Sequence, residues 1–209
     1  RKVFQTKGKC FALKCDIKQF FPTIDHQILL EIIGRRIKDR DLMDLMKIIV
    51  ESFASDADQK TGIKGAPIGN LTSQLFANIY MNEFDQFMKH KLKAKYYIRY
   101  ADDFVILSHN ESQLEKMVPM IDTFLQENLD LTLHPDKLFI KSLASGVDFL
   151  GWVHFPHHTV LRSTTRRRMF KRLSSHPTPT TLSSYLGLLK HGNTEKLHSR
   201  VLNMFNKKK

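Results

Sequence analysis

Cysteine is scarce in this chain of 209 residues: there are two, Cys10 and Cys15, both in an apolar, strand-like context. No second cysteine pair and no nearby histidine completes a zinc site, so the two thiols read as reduced, intracellular core residues. No apolar run reaches the roughly 18 residues that a membrane span needs. A signal peptide is absent as well, and the first residue is Arg1 rather than Met, so an upstream part is expected to be missing. There is no internal repeat and no low-complexity linker. What is present, 42% hydrophobic and 26% charged residues, suits one or two globular domains with a real core and excludes a disordered or fibrous chain.

Acid is scarce in one region only. From Thr159 to Lys209 there are 12 Lys and Arg against a single acid, Glu195, whereas the first 158 residues hold 21 basic and 20 acidic residues. Nearly all of the net charge of +12 therefore belongs to the last quarter. A basic carboxy-terminal module beside a near-neutral body points to a polyanion such as nucleic acid. In "RSTTRRRMFKRL", Thr164 or Thr165 can cap a helix that turns Met169, Phe170 and Leu173 inward and leaves Arg166, Arg167, Lys171 and Arg172 outside. The alternative is a solvated Lys-rich tail, which suits Lys207 to Lys209 better than this segment.

The body alternates strand-like and helical stretches. "KCFALKCDI" reads as a strand ending at Asp16, and Asp25 caps a helical stretch that breaks near Gly34 or Asp39. A loop ends in Gly65, Pro67, Gly69 and Asn70, and a helix follows with Leu71, Leu75, Phe76, Ile79, Tyr80, Phe84 and Phe87 on one broad stripe. "YIRYADDFVILSH" reads as a hairpin, followed by a helix from about Glu111 to Asn128 that Pro119 is expected to kink or restart. Strands are expected at "LDLTL", "KLFIKS" and "VDFLGWVHF". The whole is an α+β arrangement with a largely antiparallel sheet.

Asp102 and Asp103 stand side by side between two apolar runs, where Asn-Gly would close a hairpin with less repulsion. An ordinary polar turn is one reading. The other adds Asp16, which ends a second apolar strand. If the two strands were neighbours, Asp16 and Asp102 would present oxygens from one sheet face. Converging carboxylates repel unless a cation neutralises them, and hard oxygen donors suit Mg²⁺ or Mn²⁺. Two such ions can activate an attacking hydroxyl and stabilise a leaving oxygen in phosphoryl transfer.

Five ordered motifs support the second reading. "CDIKQFFPTIDH", "GAPIGNLTSQLFANIY", "YADD", "LHPDK" and "FLGW" resemble the palm motifs of reverse transcriptases, and "SYLGLLKHGNTEKL" looks like a thumb helix of bacterial enzymes. "IGNLTSQ", with Ser73-Gln74, is most similar to the diversity-generating retroelement enzymes. Group II intron enzymes usually carry proline after the serine, and the chain departs from them there. The resemblance implies a palm over residues 1–158, with the fingers largely missing, and a basic helical thumb over residues 159–209. It implies Asp16 and Asp102 as the principal ligands of two Mg²⁺ ions, with the Ile17 carbonyl accessory and Asp103 a partial ligand.

By the same resemblance Phe21 is the steric gate that selects dNTP over rNTP, although core packing would use the same bulk. Gly69 and Gln74 border the nucleotide, with a structural cap the lesser alternative for Gln74. Lys137 protonates the pyrophosphate leaving group, or is one more solvated lysine. Phe149, Leu150, Gly151 and Trp152 form the primer grip, with Trp152 alternatively sheet core. The implied activity is RNA-directed DNA polymerisation in the cytoplasm of a bacterium or on behalf of a phage. Its partners would be an RNA template, a DNA or RNA primer, dNTPs and an accessory protein or fingers segment, with no membrane. A palm-fold module that binds nucleic acid without turnover is the alternative from another class, and an RNA-directed RNA polymerase is disfavoured by Phe21.

Overall fold

Residues 9–52, 64–66 and 71–206 are described in the computed structural model of the chain. Gly69, Pro67 and the Lys207 to Lys209 tail, each singled out above, lie outside those residues. The chain forms two compact units, one of Phe11–Ile140 and a second running from Lys141 onward that takes in the described residues through Cys10.

In the first unit, β1 (Phe11–Asp16) buries Ala12, Leu13 and Cys15. A single turn, α1 (Phe20–Thr23), leads into α2 (His26–Gly34) and α3 (Arg40–Glu51). Asp25 caps α2 as expected, accepting from the N–H groups of Gln27 at 2.9 Å and Ile28 at 3.0 Å. Asp39 caps α3 by accepting from the Leu42 N–H at 2.8 Å, which is why the helical stretch divides between Gly34 and Asp39. Next come α4 (Leu71–Gln86), a π-helical turn, β2 (Tyr96–Tyr100), β3 (Asp103–Ser108), α5 (Glu111–Leu129) and β4 (Phe139–Ser142). Pro119 lies inside α5, which continues through it.

The stripe on α4 is narrower than its spacing suggests. Phe76, Tyr80 and Phe84, four residues apart, are buried, whereas Leu75 is 58% exposed. One position before Phe76, it stands about 100° round the helix, past the edge of the packed face. The expected strand at "LDLTL" reduces to a bridge between Leu133 and Ile17, flanked by two bonds: Lys18 N–H donates to the Thr132 carbonyl at 2.9 Å and His134 N–H to the Asp16 carbonyl at 2.8 Å, after which the His134 carbonyl already accepts from Lys137 N–H in the next turn.

The sheet order is β2-β3-β1-β4, with β3 antiparallel to both of its neighbours. Phe84, Phe104 and Tyr97 meet edge to face, with Phe84 and Phe104 centroids 5.0 Å apart, and Phe124 of α5 stacks on Phe87 at 4.2 Å. This aromatic layer backs the sheet with helices. The mixed helix and antiparallel-sheet arrangement is the α+β class read from the sequence.

The second unit begins with an antiparallel meander, β5 (Val147–Phe149), β6 (Trp152–His154) and β7 (Thr159–Leu161), followed by α6 (Ser163–Ser175), α7 (Pro179–Leu189) and α8 (Glu195–Asn206). Trp152, Leu161, Met169, Leu173, Leu189 and Val201 form its core. Strand β7 has no counterpart in the sequence reading. Helix α6 starts at Ser163 with Arg162 at its cap position, so neither Thr164 nor Thr165 caps it. The reason is local: the Arg162 N–H is bonded to the Gly151 carbonyl at 3.0 Å, and the helix begins directly beyond that strand contact. Among the described residues, no helix is long and apolar enough to cross a membrane.

Candidate active site

Antiparallel pairing sets Asp16 directly opposite Asp103 at the end of β1 and β3, and the Ile17 N–H reaches the Asp102 carbonyl at 3.3 Å. Residues more than eighty positions apart in the chain thus share one end of one sheet. The hairpin from β2 to β3 turns on Ala101 and Asp102, with Tyr100 paired to Asp103. Ala101 adopts φ 52°, a left-handed conformation that costs a residue with a Cβ on the order of 1–2 kcal/mol. The strained turn carries Asp102 at its tip.

Two lysines answer the three acids. Lys137 Nζ lies 2.9 Å from Asp16 Oδ1, and Lys14 Nζ lies 3.2 Å from Asp103 Oδ2. Burial raises the Asp102 carboxyl above the ordinary aspartate range; the charge of Asp16 raises it further, and Lys137 opposes the rise. Asp103 is likewise raised, by burial first, with Lys14 pulling down and Asp16 and Asp102 pushing up. The charge of Asp16 thus acts on both Asp102 and Asp103, and that of Asp102 on Asp103.

Asp103 Oδ1 is buried with no hydrogen-bond partner among the described residues. Among the described residues no three acid, imidazole or thiol side chains are drawn together at metal-holding spacing. The donors are nevertheless of the right kind for Mg²⁺ or Mn²⁺: hard carboxylate oxygens of Asp16 at the end of β1 and of Asp102 in the adjoining β2–β3 turn, and one oxygen of Asp103 that no proton donor among the described residues satisfies. Behind them Cys15 is free, and burial pushes its thiol up to about 12, so it is core rather than nucleophile.

Phe21 is half-buried and packs edge to face on the buried Phe20, centroids 5.2 Å apart. Its carbonyl accepts from the Ala66 N–H at 2.8 Å, the Gly65 N–H reaches the Ile24 carbonyl at 2.9 Å, and buried His26 holds the Gly65 carbonyl through Nε2 at 2.8 Å. Gly65, at φ 119°, takes a backbone conformation that side chains with a Cβ avoid. The structure thus brings the Phe21 segment and the first described residues of the glycine-rich loop together. Gln74 is exposed on α4, beside a buried Ser73 whose hydroxyl has no partner among the described residues.

In the second unit, Phe149 pairs with Trp152 across a two-residue turn in which Leu150 (φ 53°) and Gly151 (φ 81°) are both left-handed, the geometry of a type I′ hairpin. Phe149 and Trp152 are buried, and Leu150 projects outward with half of its surface exposed. On α6, Arg166, Arg167, Lys171 and Arg172 are exposed while Met169 and Leu173 are buried, the facing read from the sequence.

Four residues were not singled out by sequence reasoning. Lys14, two positions before Asp16, shares its strand face, and that spacing was the available signal. Arg99 and Asp85 form an ion pair beneath the hairpin, foreshadowed only by a charge inside the apolar run "YYIRY". Gly192 lies against the Trp152 ring.

Acids paired across adjacent strands at one end of an antiparallel sheet, with a lysine set over one of them and helices behind, make up a polymerase palm. The chain belongs to the reverse transcriptase family: residues 1–154 match the family model for reverse transcriptase (RNA-dependent DNA polymerase). Among curated relatives, Retron Ec73 reverse transcriptase of Escherichia coli is 34% identical over 76% of this chain and 52% of that protein. Protein YkfC of Escherichia coli is 26% identical over 83% of this chain and 52% of that protein. The group II intron-encoded protein LtrA of Lactococcus lactis is 24% identical over 69% of this chain and 35% of that protein. The chain therefore spans about half the length, or less, of these relatives. Among solved structures, telomerase from Candida tropicalis superposes with a TM-score of 0.61 at 14% identity, covering 88% of this chain and 38% of that one. At that identity the likeness concerns the fold.

Proposed function

We propose that the chain is the palm and thumb of an RNA-directed DNA polymerase, adding dNTPs to a primer 3′-hydroxyl by two-metal phosphoryl transfer. The observation that carries this reading is the meeting of Asp16 with the Asp102-Asp103 turn under Lys137, within a member of the reverse transcriptase family. Asp16 and Asp102 would hold two Mg²⁺ ions, with Mn²⁺ able to replace them, helped by the Ile17 carbonyl and Asp103. The ions supply charge neutralisation and activation of the attacking hydroxyl. Lys137 gives its proton to the departing pyrophosphate, a role that its position within hydrogen-bond reach of Asp16 supports.

Phe21 closes the sugar pocket against a 2′-hydroxyl, and Gly69 and Gln74 border the incoming dNTP. Phe149, Leu150, Gly151 and Trp152 guide the primer end, with Gly151 admitting a close backbone approach. Arg166, Arg167, Lys171 and Arg172 hold backbone phosphates of the primer–template. In this assignment residues 1–158 act as palm and residues 159–209 as thumb. An RNA template, a DNA or RNA primer and an accessory protein are its partners, in the cytoplasm of a bacterial host.

A second reading, a nucleic-acid-binding module without turnover, draws on two observations: the exposed cations of α6 need no metal, and lysine ammoniums already sit on Asp16 and Asp103. Primer extension on an RNA template with Mg²⁺ and dNTPs, comparing wild type with Asp102→Ala, separates them. Synthesis by wild type and its loss in the variant support the polymerase. No synthesis by wild type, with primer–template binding unchanged by the substitution, favours the module. Preferential incorporation of rNTPs would overturn the DNA-polymerase assignment.

A further inference from the structure

The turn that carries Asp102 is held by groups outside the acid cluster. Arg99 lies on β2, and its side chain is only 8% exposed. Its Nε and Nη2 donate to the two oxygens of Asp85 on α4 at 2.9 Å and 2.6 Å, a two-pronged pairing, and its Nη1 donates to the carbonyl of Ala101 at 3.0 Å. The Tyr97 hydroxyl, two residues earlier on the same strand face, donates to Asp85 Oδ1 at 2.7 Å. One buried guanidinium therefore links the end of a core helix to the strained residue at the turn. Ala101 has no polar side chain with which to hold its own left-handed backbone, and the atom that Arg99 grips is the carbonyl oxygen immediately before the Asp102 nitrogen.

We propose that Arg99 is a positioning residue. Locked by Asp85 and Tyr97, it pins the Ala101 carbonyl and so fixes the direction in which the hairpin tip presents the Asp102 carboxylate. The inference rests on the polymerase reading for its consequence in catalysis, but the pinning itself does not. A lysine cannot take over the task, because a single ammonium lacks the planar fork that reaches both carboxylate oxygens and a carbonyl on the other side. A buried charge is tolerated here because three of its N–H groups have partners.

The test uses the full chain as wild type, Arg99→Lys, Asp85→Asn and Arg99→Ala, each checked for folding by thermal melting. Amide hydrogen exchange by mass spectrometry on peptides spanning Tyr100 to Phe104 reads the turn without any catalysis. Pinning predicts exchange there faster by about tenfold or more in Arg99→Lys, with α5 peptides unchanged. In primer extension, kcat falls on the order of tenfold to a hundredfold while the dNTP KM stays within about twofold, since orientation rather than binding is lost. Free guanidinium ions added to Arg99→Ala restore part of the rate, whereas general destabilisation would not respond to them. Turn exchange equal to wild type in Arg99→Lys overturns the proposal, as does an unchanged kcat in an active protein. Faster turn exchange in a protein whose wild type extends no primer upholds the pinning and refutes the polymerase reading instead.

Discussion

Replacing Lys137 by Met exposes the charge balance of the site. Three carboxylates, Asp16, Asp102 and Asp103, face two ammoniums, Lys137 at 2.9 Å from Asp16 and Lys14 at 3.2 Å from Asp103, which leaves one net negative charge. Lys137→Met leaves two. The lysine side chain is 53% exposed, so its own ion pair contributes little to folding, under about 1 kcal/mol, and the variant should melt close to wild type. Cation binding responds differently, because an ammonium and a divalent ion compete for the same carboxylate. Unit charges about 4 Å apart in water interact by roughly 1 kcal/mol, and by about twice that when one is divalent. Salt screens part of this, leaving an expected gain of about fivefold to tenfold in Mn²⁺ affinity. Electron paramagnetic resonance titration of free Mn²⁺ against the full chain measures it directly, without turnover. Primer extension by the same variant should slow despite the tighter metal, because the proton donor to pyrophosphate has gone. Mn²⁺ affinity equal to or weaker than wild type, in a protein that melts normally, would refute the charge argument and with it the placement of the cation at Asp16.

Two further outcomes follow from the geometry. Asp102 and Asp103 have folded carboxyl pKa values above the ordinary 3.8, so the native state binds protons more tightly than the unfolded chain. The destabilisation is therefore fully present above the raised values and is relieved as pH falls through them. Carbon-13 NMR titration of the metal-free protein should place both carboxyls above 3.8, and Lys137→Met should move Asp102 higher, since that lysine opposes the rise; a downward move contradicts the assignment. In the second unit, an alanine Cβ at Gly192 would collide with the Trp152 ring and stand 3.0 Å from the Thr159 carbonyl. Gly192→Ala should cost roughly 1–3 kcal/mol in urea denaturation, and a neutral result would mean that the ring is not held there.

Much of the site was legible because its signals are local. Asp25 and Asp39 stand where chain entry demands a cap, and the apolar periodicity on either side sets the helices they start. The basic face of α6 followed from its spacing alone. Leu75 misled because a periodic stripe says which residues share a face, not how far the neighbouring sheet extends to cover it, whereas the start of α6 was set by the contact of Arg162 with Gly151, a residue in the turn between β5 and β6. The bridge at Leu133, in place of a full strand, depends on its pairing with Ile17, more than a hundred positions away, which no local pattern encodes.

By itself the amino-acid order determined the motifs, the placing of Asp16 at a strand end and of Asp102 in a tight turn, and the segregation of positive charge into the last quarter. These are properties of neighbouring residues and survive without a fold. Only the tertiary structure decided that β1 pairs with β3 in the register that sets Asp16 against Asp103, that Lys137 and Lys14 rather than other lysines answer those acids, and that Asp85 reaches from α4 to grip Arg99. Pairing register and buried ion pairs depend on packing between segments far apart in the chain, where the hydrophobic core fixes distances that sequence spacing leaves free.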